Sequence, residues 1–127
     1  IRTTYAFRSL LDVDAPLAFG SDWTVAPLDP LLGVYAAVTR RTLDGRNPSG
    51  WVPDQKISVG EALRGYTYGN AWATFNDQKW GTLAPGRYAD VVVLDRDLFA
   101  VPPESLAHGA VKVRYTIVGG RVVHKKP

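Results

Sequence analysis

The chain has 127 residues, of which 46% are apolar and 21% are charged, so it has enough apolar material for one globular domain and is not expected to be disordered. Its Lys and Arg residues are mostly scattered and give a net charge of only +3, which argues against a nucleic-acid-binding face. The absence of Cys excludes disulfides and thiolate metal sites within the chain, and no apolar run approaches the roughly 20 residues of a membrane span.

The chain begins with Ile1 rather than Met, and it shows no charged segment followed by an apolar one that would indicate a signal peptide. We therefore expect a segment excised from a longer, cytoplasmic protein that binds neither membrane nor nucleic acid.

The first part of the chain predicts a short helix, a strand and a carboxylate where that strand ends. Apolar residues at helical spacing predict a short helix within residues 5–11. Residues 17–19 form a short apolar run between Pro16 and Gly20, which favours a strand over a buried helix. Asp22 follows two residues after that glycine.

A second helix has a clear start signal. Asp29 followed by Pro30 is an N-cap with proline at the first helical position, and apolar residues follow at helical spacing. We expect Arg40 and Arg41 in the last turn, where cations suit the negative end of the helix. Residues 44–56 are rich in Gly and Pro and predict an irregular loop.

A third helix begins at a predicted capping box. Ser58 and Glu61 have the spacing at which the serine caps the helix and the glutamate reaches back. Gly65 and Gly69 weaken the helix that follows, so we expect a break or bend near Gly69 and Asn70.

Beyond about residue 79 the sequence changes to short β-branched runs separated by Gly and Pro. Residues 84–87 match a type II turn. The other predicted elements are a short strand, a core strand with three consecutive valines, a short helix and a hairpin, at residues 80–83, 90–94, 102–106 and 113–124.

Asp22 is the candidate functional residue. A carboxylate oxygen suits a divalent metal and can accept a proton from metal-bound water, although the residues alone favour a helix cap or a loop role. Ser21 could orient this carboxylate or satisfy its own turn, and we expect Trp23 to pack rather than to line a pocket. His108 and His124 lie in a connection and at the end of the last predicted strand, so we expect surface histidines.

This order of features resembles the C-terminal end of metal-dependent amidohydrolases. The resemblance rests on three stretches, residues 16–23 (PLAFGSDW), 81–95 (GTLAPGRYADVVVLD) and 117–123 (IVGGRVV). It is closest to the YtcJ-like branch, which includes N-substituted formamide deformylases, and it runs from about Tyr5 to His124.

The resemblance implies an α/β plus β fold. Residues 1–79 would form the C-terminal part of a (β/α)8 TIM barrel, with its last strand and helices, and residues 80–127 the C-terminal strands of a composite β-sandwich. Asp22 falls at the position of the aspartate that ends the eighth barrel strand, where the family places a metal ligand and general base. The parent protein would then be a hydrolase of non-peptide carbon–nitrogen bonds in a small amide or formamide, with a divalent metal, zinc being expected.

The family's remaining metal ligands have no counterpart in this chain. They include a His-x-His pair, a bridging ligand and two further histidines, all upstream. Because a catalytic zinc needs about three protein ligands, we expect this chain alone to bind no metal tightly and to be inactive. Exposed strand edges and barrel faces predict a homo-oligomer.

Two other interpretations stay open. The chain could be a non-catalytic module that binds a partner through an exposed strand edge, or a small enzyme whose site is shared across an oligomer. A loop with Arg46, Asn47 and Trp51 would lie near the barrel mouth and could contribute to substrate selection.

Overall fold

A computed structural model describes residues 3–126 of the chain. Its first part is helical, with α1 (Phe7–Leu11), α2 (Pro30–Thr39), a 3-10 turn (Pro53–Gln55), α3 (Val59–Arg64), a π-helical segment (Gly65–Gly69) and α4 (Asn70–Ala73). Its second part contains β1 (Val91–Leu94), a 3-10 helix (Pro103–His108), β2 (Val113–Val118) and β3 (Arg121–Lys125). Within the described residues, none of the helices has the length and apolar character that crossing a membrane requires.

Helix α2 begins where the sequence predicts. The Oδ1 of Asp29 accepts a hydrogen bond from the Leu31 backbone N–H at 2.9 Å, and the first helical residue is proline. Arg40 is left-handed, with φ +60°, and ends the helix. The prediction that Arg40 and Arg41 lie in the last helical turn is therefore wrong, because the backbone leaves the helix at Arg40.

The capping box of α3 is confirmed in both directions. The Ser58 hydroxyl accepts from the Glu61 N–H at 3.2 Å, and the Glu61 carboxylate accepts from the Ser58 N–H at 2.7 Å. Of the break or bend predicted near Gly69 and Asn70, the break is wrong, because the chain widens into the π-helical segment and continues directly into α4. A bend there stays a prediction.

The buried core joins the helical and the strand-containing parts. Its apolar members come from α2, the start of α3 and the connections around β2, and they are Val34, Tyr35, Ala37, Ile57, Ala62, Leu98, Leu106 and Val111. The 3-10 helix Pro103–His108 packs against α2. Arg41 Nη1 lies 3.6 Å from Glu104 Oε1 across the same contact. The division of the chain near residue 79 stays a prediction.

The three strands form an antiparallel sheet in the order β1-β2-β3, as the predicted core strand and hairpin require. No residue of the sheet is buried. The prediction of a strand at β1 is confirmed, but its predicted core position is wrong, because among its described residues only Leu94 packs against the core, while Val92 and Val93 are exposed. The exposed valines are Val92, Val93, Val118, Val122 and Val123.

The predicted strand at residues 80–83 is wrong, because the backbone bends there. Gly81 has φ +92°, and a Cβ at this position would lie 2.6 Å from the Cβ of Ala71. The chain thus turns tightly against the helical part instead of extending. The following type II turn is consistent with the hydrogen bond from Arg87 N to Ala84 O at 3.2 Å.

Candidate functional site

The segment that carries Asp22 packs on a helix rather than in a sheet. Residues 17–19 pair with no strand among residues 3–126, so the predicted strand is wrong for this structure. A strand forms only where a neighbouring strand offers backbone hydrogen bonds, and the described neighbours of residues 17–19 are helical. The Phe19 N–H donates instead to the Gly65 carbonyl at 3.3 Å.

Two glycines allow the helix to approach this segment closely. A Cβ at Gly65 would lie 2.5 Å from the ring of Phe19, and a Cβ at Gly69 would lie 1.9 Å from the carbonyl oxygen of Leu17. Both glycines are buried in the π-helical segment. The lack of side chains therefore fixes the distance between this helix and the segment leading to Asp22.

Asp22 lies on an exposed turn just beyond this contact. Its φ is +48°, a conformation that aspartate tolerates better than most residues, and its carbonyl accepts from the Val25 N–H at 2.7 Å. Within residues 3–126 its carboxylate has no hydrogen bond and no ion pair. A carboxylate without protein partners is available to a cation.

The two neighbours of Asp22 do not support it. Ser21 is half-buried and makes no hydrogen bond to the carboxylate. Trp23 is 67% exposed among the described residues, and its packing in the mouth of a complete barrel stays a prediction. Asp29, seven residues on, is engaged as the cap of α2.

The donor set of the described residues does not complete a metal site. No group of three His, Cys, Asp or Glu side chains that could hold a metal ion occurs between residues 3 and 126. His108 and His124 are exposed, as predicted. Asp22 therefore fits one oxygen position of a divalent metal site, and the other ligands would have to come from elsewhere.

The loop predicted near the site is held by Asn47. The Asn47 side chain accepts from the Thr42 N–H at 2.7 Å and donates to the Arg40 carbonyl at 3.1 Å. Arg46 is exposed and pairs with Asp44 at 3.2 Å within the same loop. A role of this loop in substrate selection stays a prediction.

Arg40, which the sequence predicted only as a residue of the last turn of α2, is a buried cation. Only 7% of it is exposed, and its guanidinium lies 5.2 Å from the ring centroid of Phe7 and 5.1 Å from that of Trp51. It donates to the carbonyls of Trp51 at 3.0 Å and Tyr5 at 3.0 Å. Burial lowers the pKa of the Arg40 guanidinium. These partners lie 11 and 35 residues away, so no local pattern could reveal them.

A second arginine fastens α1 to α3. Arg8 Nη2 lies 2.5 Å from Glu61 Oε2, and Arg8 Nη1 lies 3.5 Å from Asp12 Oδ1. The hydrogen bond from Arg8, together with the one from the Ser58 N–H, lowers the pKa of Glu61 to about 2. The same carboxylate thus caps α3 and holds α1.

Comparison with known proteins decides the family. The model of the Amidohydrolase family matches residues 1–124, which is nearly the whole chain. The chain belongs to the amidohydrolase family. The predicted resemblance is therefore confirmed, including its relation to YtcJ and to a formamide deformylase.

Three relatives of this amidohydrolase chain are similar along most of its length. It is 32% identical over 126 residues to the predicted amidohydrolase YtcJ of Bacillus subtilis (strain 168), covering 99% of this chain and 23% of that protein. It is 36% identical over 124 residues to Protein LONG AFTER FAR-RED 3 of Arabidopsis thaliana, covering 98% and 20%. It is 32% identical over 93 residues to the N-substituted formamide deformylase of Arthrobacter pascens, covering 73% and 17%.

This amidohydrolase chain spans about a fifth of the length of these relatives. No solved structure matches it significantly. The family suggests a TIM-barrel parent. The described part itself consists of a three-stranded antiparallel sheet and several short helices.

Proposed function

We propose that this chain is the C-terminal part of a metal-dependent hydrolase that cleaves non-peptide carbon–nitrogen bonds in small amides or formamides. Membership of the amidohydrolase family supports hydrolysis of amide bonds. The similarity to a protein named N-substituted formamide deformylase supports a small amide as the substrate class.

The free carboxylate of Asp22 carries this proposal. It follows an anchored segment, is exposed, and has no competing partner among the described residues. In the complete enzyme, Asp22 would hold the metal through one carboxylate oxygen and would accept a proton from the attacking water. A divalent ion bound there, zinc being expected, would supply the Lewis acidity that polarises an amide carbonyl.

The chain by itself is proposed to be inactive. Asp22 is one ligand, and a catalytic zinc needs about three from the protein. The missing ligands would come from the remainder of the complete protein, which corresponds to the part of the relatives that this chain does not match.

The first test is the metal content per chain, measured by mass spectrometry on protein purified without chelators. The Asp22→Ala variant removes the proposed ligand, and Asp54→Ala removes another exposed carboxylate as a matched control. Near-zero metal in all three samples is expected. Stoichiometric metal that is lost only in Asp22→Ala would contradict the inactive chain and favour a site completed across an oligomer.

A second candidate function rests on the uncovered sheet. β3 is an edge strand, and its Val122 and Val123 are 58% and 62% exposed. Such an edge can pair with another strand, so the chain would act as a non-catalytic β-rich module that forms homo-oligomers or binds a partner. Light scattering over a range of concentrations tests this, with Val123→Lys as the variant expected to weaken association. A monomer at every concentration would rule out self-association.

A further inference from the structure

Asn70 connects the helical part to the segment that carries Asp22. It is the first residue of α4 and follows the π-helical segment directly. Its Nδ2 donates to the Phe19 carbonyl at 3.0 Å and to the Tyr66 carbonyl at 3.2 Å. Phe19 lies three residues before Asp22, so this amide reaches the proposed site through one short stretch of backbone.

The π-helical segment shapes the position of this amide. The Asn70 backbone N–H donates to the Thr67 carbonyl, three residues earlier, rather than to Tyr66, four residues earlier. The Asn70 side chain makes the bond to the Tyr66 carbonyl instead. One side-chain nitrogen therefore joins the irregular helical turn to the adjacent segment.

The chemistry of these contacts requires an amide donor. Both partners of the Asn70 side chain are backbone carbonyl oxygens, which accept hydrogen bonds and cannot donate them. The NH2 group of the amide must therefore face them, and an aspartate of the same shape would lose both bonds. Its charge would also lie against two carbonyl dipoles.

Both backbone groups of Phe19 are held by the helix. Its N–H donates to Gly65 and its carbonyl accepts from Asn70. The next residue, Gly20, has no atom within 4 Å of a built Cβ and is therefore unconstrained by packing on that side. Phe19 is therefore the last anchored residue before Asp22: its ring packs on Phe7 and Tyr66, and Asn70 fixes the direction of its carbonyl.

We propose that Asn70 is a positioning residue for Asp22, acting through its hydrogen bond to the Phe19 carbonyl. This inference rests on the proposed function, because it assigns Asn70 a purpose only if Asp22 takes part in hydrolysis. The site would then include a residue 48 positions after Asp22 in the sequence, and the π-helical turn would help to place that residue against Phe19.

The first test is NMR on the isotopically labelled chain. Asn70→Asp should shift the Phe19 carbonyl 13C and the Gly20 amide 15N signals, and should speed hydrogen exchange at least about tenfold at the Phe19 amide, which donates to the Gly65 carbonyl. Asn76→Asp is the matched control, because among the described residues the Asn76 side chain donates only to the nearby Thr74 carbonyl, at 2.7 Å. Signals from β2 should not move in either variant.

Asn70→Ala provides a second measurement if the aspartate variant fails to fold. Alanine removes both hydrogen bonds without adding charge and favours a helix. Chemical shifts at Phe19 and Gly20 and hydrogen exchange at Phe19 that stay as in the Asn76 control would overturn the inference.

Kinetics in the complete enzyme separate the two proposals. Asn70→Asp is expected to lower kcat at least about tenfold with KM within about twofold, whereas Asn76→Asp leaves both unchanged. If Asp22→Ala retains hydrolysis, the proposed function fails and the positioning role falls with it. If Asp22→Ala abolishes hydrolysis while Asn70→Asp behaves like the control, only the positioning role is overturned.

Discussion

The helical part of this chain buries apolar side chains, whereas the sheet leaves most of its apolar side chains exposed. Val34 of α2 is 1% exposed and Ala62 of α3 is fully buried, whereas Val92 of β1 is 56% exposed. The strands of the sheet pair with one register shift in each pair, yet none of the sheet residues is buried, and among the described strand residues Leu94 is the one that packs against the core. Regular secondary structure and burial are thus separate properties: α2 and α3 have both, whereas the sheet meets the core at Leu94.

The largest effect is expected from a substitution that would break the helical part. Gly69→Ala places a Cβ 1.9 Å from the Leu17 carbonyl, and because both atoms belong to backbone-anchored groups, we expect destabilisation by about 3 kcal/mol. Urea unfolding monitored by circular dichroism measures it. Gly20→Ala, with open space around the new methyl group, is the control and should change little. Equal effects of the two variants would contradict the close approach.

The second prediction compares the same substitution, valine to alanine, in the helical part and in the sheet. Val34→Ala removes about two buried methylene equivalents and should cost about 2 kcal/mol, plus any cavity that remains. Val92→Ala makes the same chemical change in the exposed sheet and should cost less than about 0.5 kcal/mol. Denaturant midpoints of both variants provide the measurement. A large cost at Val92 would mean that another surface covers the sheet in solution.

Acid should lower the stability of the helical part by protonating Glu61. The pKa of Glu61 is lowered to about 2 in the folded chain, below its ordinary value of 4.5. Its contribution to stability is therefore fully present above about pH 5 and is lost as the pH falls towards 2. Thermal unfolding from pH 5 to 2 should show a smaller loss in Glu61→Gln than in wild type. Glu104→Gln leaves the pair of Arg8 and Glu61 intact and should behave as wild type does.

The smallest expected effect is an increase in stability. Gly60 lies within α3, and a Cβ there would meet the Phe99 ring at 3.7 Å, an ordinary contact. Gly60→Ala should stabilise the chain by about 0.5 to 1 kcal/mol because alanine loses less backbone entropy in a helix. Chemical denaturation would detect this gain, and a loss would indicate that Phe99 cannot adjust.

The sequence predicted the elements that local chemistry determines. The cap at Asp29, the capping box at Ser58 and the final hairpin all depend on residues within a few positions of one another. Residues 17–19 and the burial of β1 were predicted wrongly because both depend on neighbours that a local pattern cannot supply.

Of the candidate site, the sequence predicted the carboxylate of Asp22 but not the residues that position it. Asp22 was selected through its family resemblance, and its role stays a prediction. The link from Asn70 to Phe19 spans 51 residues and depends on a widened helical turn that no spacing rule indicates. The burial of Arg40 was missed for the same reason, because its aromatic partners are distant in sequence.

The two arginines that hold the N-terminal helix would respond differently to acid. Arg8 depends on the carboxylate of Glu61, which acid neutralises, whereas Arg40 binds rings and carbonyls that carry no titratable proton. In strong acid we therefore expect α1 to lose its ion pair with α3, while the ring contact of Arg40 with Phe7 and the hydrogen bonds between Ser9 and Gln55 keep it in place. Acid would thus weaken this end of the fold without releasing the helix, because Phe7 and Leu11 still pack against the core.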